Sequence, residues 1–302
     1  MRFSGPCVIQ GREADERVLG PLLETDPTAP HEVLADSLAR HGYLFVRGLL
    51  DGVEIEAARA EVFGRLAEVG EILEPVCEGI FSGVSHRAER VNLGEFWRSV
   101  SQGTAIRRVS HGDRIRAWMQ NVFGEPAAPH DYLFLRPGVV GRATHLHFDR
   151  PFFARGSQRV LTVWSAVGDI PVSEGPLFVV ERGHCFEDLL GPVREIDYDS
   201  SAGPQVQLTQ NAAAFAASRG ARLLAADFRA GDVIVFGMEA LHGTFDNCSP
   251  IGRTRLSSDV RWQPLADPFD PRYMGEDPPG TTGAGYGELN GAKPLTQDWH
   301  TR

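Results

Sequence analysis

Residues 144–149 read Thr-His-Leu-His-Phe-Asp, THLHFD. Polar and apolar side chains alternate, which is the period of a strand: His145, His147 and Asp149 share one face, Leu146 and Phe148 the other. That polar face has two readings. It is a surface turned to solvent, or a set of metal-ligating groups whose remaining partner lies elsewhere in the chain. Either way the stretch predicts a strand over 143–148, and its surroundings decide which kind of sheet it joins.

From Pro129 to about residue 262 the chain is a series of short β-rich runs: YLFLR (132–136), ATHLHF (143–148), VLTVWSAV (160–167), PLFVVE (176–181), RLLAADF (222–228), DVIVF (232–236) and TRLSSDVRW (254–262). RPGVVG, SEGP, RAGD and CSPIG punctuate them as turns. Most gaps are too short to hold the helix that a parallel crossover requires, so the runs predict an antiparallel sandwich, barrel or jelly roll. One long gap, 185–220, contains NAAAFAASRG and predicts a helical insertion.

Upstream, residues 1–128 read as mostly helical. DPTAPHEVLADSLARHG is a helix with Thr28 as N-cap, Pro30 in the first turn and Gly42 at its end. YLFVRGLL (43–50) follows as a strand, and EIEAARAEVFGRLAEVG is a second helix. Residues 94–124 are helical with breaks at Gly103 and Gly112. Downstream, residues 263–302 are dense in Gly, Pro and Thr and predict a loop-like tail, wrapped on the core or partly disordered. The helices have only the β region to pack on, so 1–302 reads as a single domain, mainly β with flanking helices.

The net charge of −10 opposes nucleic acid and anionic lipid as partners. Arg107, Arg108, Arg114 and Arg116 crowd one segment, which reads as solvated helix faces. The four cysteines are scattered without a Cys-x-x-Cys pair, which argues against a thiolate zinc site and for the cytoplasm. No signal-peptide pattern and no run of 18 apolar residues is present. Oligomeric state is not legible.

Beyond the β runs, AGDVIVFGMEALHGTFDNCSPIGRTRL carries His242 after a strand, followed by arginines. A His-x-Asp on one strand with a distant His on another is the pattern of the 2-His-1-carboxylate triad, which leaves three positions of an octahedral iron open. Here the chain resembles the phytanoyl-CoA dioxygenase family of iron(II)/2-oxoglutarate-dependent oxygenases. The resemblance is carried by His147-Phe148-Asp149, by VWSAVGDIPVSEGPLFVVERGH (163–184) and by LHGTFDNCSPIGRTRLS, over roughly residues 35–262.

The resemblance implies a double-stranded β-helix (jelly-roll, cupin-like) core. It implies that His147, Asp149 and His242 hold Fe(II) and that Arg253, eleven residues after His242, clamps the far carboxylate of 2-oxoglutarate. Arg255, on the same face, is the rival clamp. Thr244 matches a hydroxyl on that carboxylate, and Trp164 and Tyr132 match cosubstrate-contact positions. His145 is implied to lie outside the iron shell, His184 to bond locally near its turn, and Arg261 reads as a surface residue. His130 is undecided.

The implied activity is hydroxylation of a small-molecule substrate, with 2-oxoglutarate and O2 converted to succinate and carbon dioxide. A carboxylate at 149, where related halogenases have Gly or Ala, favours hydroxylation over halogenation. Two other classes stay open: another metal-dependent cupin, to which the His145-x-His147 pair and Asn247 point, and a non-catalytic β-sandwich binding module.

Overall fold

The computed structural model describes residues 3–84, 93–141, 143–199, 208–209, 211–276, 278 and 280. Strands β1 (Val8–Ile9), β2 (Arg12–Glu13) and β3 (Leu19–Pro21) precede α1 (His31–His41), β4 (Tyr43–Val46) and α2 (Gly52–Glu68). Helices α3 (Leu93–Ser101), α4 (Thr104–His111) and α5 (Asp113–Phe123) follow, divided at Gly103 and Gly112 as expected. Next come β5 (Ala127–Gly138), β6 (Leu161–Ala166) and β7 (Leu177–Val180), then α6 (Glu187–Arg194) and α7 (Ala212–Ser218). β8 (Leu223–Ala225), β9 (Val233–Gly237), β10 (His242–Thr244) and β11 (Arg255–Pro264) complete the core.

Local chemistry explains the helix starts. Asp51 caps α2 by accepting from the N–H groups of Val53 and Glu54, and the helix buries Ile55, Ala58, Val62, Phe63 and Leu66 at helical spacing. The expected cap of α1 is corrected. Pro30 occupies the N-cap position without a side-chain bond. Thr28 instead donates its N–H and hydroxyl to the Asp26 carboxylate at 2.8 and 2.7 Å, closing a turn ahead of the helix.

The strands form two main sheets. One has five antiparallel strands in the order β4-β9-β6-β11-β5, the other four in the order β10-β7-β8-β3. The β runs between 129 and 262 pair with one another antiparallel, as expected; β3, from the N-terminal part, joins β8 in parallel. About two hundred residues separate these strands, ample for the long connection a parallel pair needs. The 143–148 stretch is not a regular strand. Only His147 bridges, to His242, and the chain turns at Asp149, whose carbonyl accepts from Phe152.

Three apolar layers result. Val163, Val235, Val260 and Trp262 on the outer face of the five-stranded sheet pack on Ile55, Phe63, Ile106 and Met119 of the helices. Its inner face sets Phe45, Trp164, Ile234 and Phe236 against Leu177, Val179 and Leu224 of the other sheet. The outer face of the four-stranded sheet buries Phe178, Val180 and Leu223 under Leu190, Ala212 and Ala216.

Both faces of β11 are therefore covered. Arg255, Ser257, Asp259 and Arg261 alternate onto its inner side, paired in register with Gly138, Arg136 and Phe134 on β5 and with Ala166, Trp164 and Thr162 on β6. No described helix is long and apolar enough to cross a membrane.

Candidate metal centre

His147 and His242 face each other across two backbone hydrogen bonds, His147 N–H to His242 O at 3.0 Å and His242 N–H to His147 O at 3.1 Å. Close approach of the two segments depends on Gly243. A Cβ there would lie 2.9 Å from the Thr144 carbonyl oxygen and 3.0 Å from the Phe178 ring. The imidazole centroids are 4.3 Å apart.

Each ring has its Nδ1 against a carbonyl two residues back, His145 O at 2.8 Å and Ala240 O at 3.0 Å. A carbonyl only accepts, so Nδ1 carries the proton and Nε2 presents its lone pair. Those Nε2 atoms stand 3.5 and 4.0 Å from Asp149 Oδ1. The ligand atoms of His147, Asp149 and His242 all lie within 4.8 Å of one another.

The carboxylate is held asymmetrically. Oδ2 accepts from Arg261 Nη2 at 2.6 Å and Thr162 Oγ1 at 3.0 Å. Oδ1 is buried and accepts no hydrogen bond. Burial opposes ionisation of Asp149, but the Arg261 guanidinium and the two neighbouring histidines outweigh it and hold its pKa well below the usual carboxylate range. Burial pushes His242 down to about 3, with His147 acting in the same direction and Asp149 against it. Two imidazole Nε2 atoms and one bare carboxylate oxygen, buried together, are the donor set of a divalent transition metal.

Thr244 is buried two residues after His242. Its N–H donates to Thr144 O at 3.0 Å and its hydroxyl accepts from Thr144 N–H at 2.7 Å. Trp164 is buried on the inner face, its ring 4.8 Å from that of Phe228. Tyr132 sits in a separate aromatic cluster, 4.4 Å from Phe134 and 5.7 Å from Tyr273 between ring centroids.

The two clamp candidates differ in surroundings. Arg253 is 37% exposed at its side chain and donates to Glu174 at 3.2 Å. Arg255 is buried, with Nη1 on Ser257 Oγ at 2.6 Å, an unpartnered Nε, and no carboxylate within ion-pair distance among the described residues. Its guanidinium lies over Gly138, where a Cβ would come within 2.8 Å of it. Burial lowers its pKa to about 10, with Arg136 adding to the shift and Asp259 opposing it.

The other histidines singled out in the sequence fall outside the cluster. His145 is half-buried with Nδ1 against Gln10 Nε2. His184 Nε2 meets Ala39 O at 3.1 Å, and His130 Nε2 meets Gln263 Oε1 at 3.0 Å. Arg261 was expected on the surface and is corrected. It is 1% exposed, because β11 is covered on both faces. Thr162 escaped the sequence reading as well. Its placement at Asp149 follows from the β6–β11 register, which no local pattern reveals.

A family model described as "Phytanoyl-CoA dioxygenase (PhyH)" matches residues 38–255. Solved structures share the fold. The crystal structure of the epimerase SnoN in complex with Fe3+, alpha ketoglutarate and nogalamycin RO has 23% sequence identity, a TM-score of 0.53, and coverage of 91% of this chain and 98% of its own. EctD from S. alaskensis with bound Fe has 17% identity, a TM-score of 0.52, and coverage of 82% of each chain. AviO1 from Streptomyces viridochromogenes Tue57 has 16% identity, a TM-score of 0.50, and coverage of 81% and 99%. No match to this chain is found among curated proteins.

Proposed function

The chain belongs to the phytanoyl-CoA dioxygenase family, and on that premise we propose that it hydroxylates an unactivated C–H bond of a small molecule within a jelly-roll core. As a family member it is an enzyme of the non-haem iron(II)/2-oxoglutarate-dependent class. The observation that carries the reading is the convergence of His147 Nε2, Asp149 Oδ1 and His242 Nε2 between the two sheets.

When bound, iron(II) with 2-oxoglutarate and O2 supplies an oxidant for the substrate C–H bond, leaving succinate and carbon dioxide. The protein's part is positional. His145 O and Ala240 O orient the imidazoles, and the surrounding layers keep water out. His147, Asp149 and His242 would hold the metal, which would supply the binding of the oxoacid and of O2.

For the far carboxylate of 2-oxoglutarate, the spacing of the family motif supports Arg253 and the packing supports Arg255. We assign it to Arg255, a buried guanidinium on the inner face of β11 that has no carboxylate within ion-pair distance among the described residues. A planar fork of this kind meets both oxygens of a carboxylate. Thr244, two residues along β10 from His242, and Trp164, on the inner face of the opposing sheet, are assigned to the walls of the site.

Anaerobic titration should show one iron(II) per chain. Addition of 2-oxoglutarate and O2 should yield succinate, and Asp149→Ala should abolish it. A metal-loaded protein that never forms succinate would instead be another kind of cupin, and one that binds no metal a binding module. Product mass separates the finer outcomes. Hydroxylation adds one oxygen, ring closure or desaturation removes two hydrogens, and epimerisation leaves the mass unchanged.

A further inference from the structure

Arg261 and Asp149 are each 1% exposed at their side chains and meet at 2.6 Å, far from any surface where an ion pair could exchange with solvent. The guanidinium is clamped between two rings, its Cζ 4.5 Å from the centroids of both Phe134 and Phe153. Thr162, the register partner of Arg261 across β6 and β11, donates to the same carboxylate oxygen at 3.0 Å. Two donors use both lone pairs of Oδ2, while Oδ1 accepts no hydrogen bond and faces the two imidazoles.

We infer that Arg261, assisted by Thr162, is a positioning residue that restricts Asp149 to a single metal-binding oxygen. The inference rests on the assignment of His147, Asp149 and His242 as the iron ligands. A carboxylate free to bind through both oxygens would take four octahedral positions together with the imidazoles. A chelating 2-oxoglutarate would then occupy the last two, leaving none for O2. With Oδ2 engaged by Arg261 and Thr162, the three-position face stays open.

The guanidinium charge also draws electron density from the carboxylate, so the bound metal keeps more of its positive charge for an anionic chelator. Buried ion pairs contribute little net stability compared with apolar packing, so a structural role alone is a weak reason for placing one here.

Cobalt(II), whose visible absorption reports coordination number, tests this without turnover. Arg261→Lys, Thr162→Val and Thr162→Ser would be loaded with cobalt(II) and titrated with 2-oxoglutarate, with folding checked by circular dichroism. Arg261→Lys and Thr162→Val should each shift the cobalt spectrum toward higher coordination, or lose cobalt while folded. They should also weaken 2-oxoglutarate binding by roughly 10–100-fold, with the smaller effect in Thr162→Val. Thr162→Ser, which keeps the hydroxyl, should restore both properties.

Folded Arg261→Lys and Thr162→Val proteins with the wild-type spectrum and affinity would overturn the inference while leaving the iron site standing. If Arg261→Lys does not fold, the Thr162→Val and Thr162→Ser pair decides. A wild-type protein that takes up neither cobalt(II) nor 2-oxoglutarate would refute the site assignment itself.

Discussion

Each metal-facing imidazole has its tautomer set by one backbone carbonyl, so Nε2 is presented as a ligand before any ion arrives. The carboxylate is prepared in the same way by Arg261 and Thr162. Removing it has two separable effects. Asp149→Ala should abolish iron retention, read by metal analysis after desalting. It should also destabilise the metal-free protein by about 3 kcal/mol in urea unfolding, because Arg261 loses its nearer buried carboxylate and keeps Asp259 only at 3.9 Å. The clamp assignment is likewise a matter of single residues. Arg255→Gln should raise the KM for 2-oxoglutarate at least about tenfold, since a charge-assisted hydrogen bond contributes about 1.5–3 kcal/mol. Arg253→Gln should move it less, because Arg253 already pairs with Glu174; the reverse order would return the clamp to Arg253. Residues 144–149 and 242 offered the candidate ligands, and the family resemblance singled out the triad among them. The role of Arg261 was not legible, since an arginine in an alternating strand reads the same whether its face meets water or a carboxylate 112 residues away.

At the scale of elements, two glycines set distances that the site depends on. β10 and the 144–147 segment approach closely at Gly243, and Gly243→Ala brings a methyl against a backbone oxygen that cannot swing aside. It should cost about 1–3 kcal/mol of stability and weaken metal uptake, measured by urea unfolding and by metal titration. Gly138→Ala on β5 meets the Arg255 guanidinium, a side-chain end rather than backbone. It should leave stability nearly unchanged while raising the KM for 2-oxoglutarate; a stability loss with unchanged KM would count against Arg255 as the clamp. Strand positions were readable from apolar runs, and the helix breaks at Gly103 and Gly112 from the glycines themselves. The strand expected over 143–148 failed because alternation reports side-chain direction, whereas a strand requires a continuous ladder, and here only His147 finds one.

Over the whole molecule, the layers determine which groups can hold charge. His130 on β5 donates Nε2–H to Gln263 at 3.0 Å and stacks on Tyr273, tying the segment after β11 back to the core. Its Nδ1 is buried without a partner, so a second proton finds no acceptor. Burial chiefly lowers its pKa from 6.5 to about 4. The unfolded chain therefore binds this proton more readily than the folded one. Stability from this group is complete above about pH 6.5 and falls by about 1.4 kcal/mol per pH unit as pH drops toward 4. The urea midpoint of the metal-free protein should decline over that window, and His130→Asn should flatten the decline; an identical slope would exclude His130 as a contributor. The sequence by itself carried the family resemblance, which implied the ligand triad, and most of the strand and helix inventory, which is written in residue type and short-range period. Only the tertiary structure decided which oxygen of Asp149 stays bare, that Arg255 is buried with no carboxylate at ion-pair distance among the described residues, and that burial makes His130 and His242 resist protonation. Those properties depend on what covers each face, and coverage is set by segments that meet only when the two sheets close on each other.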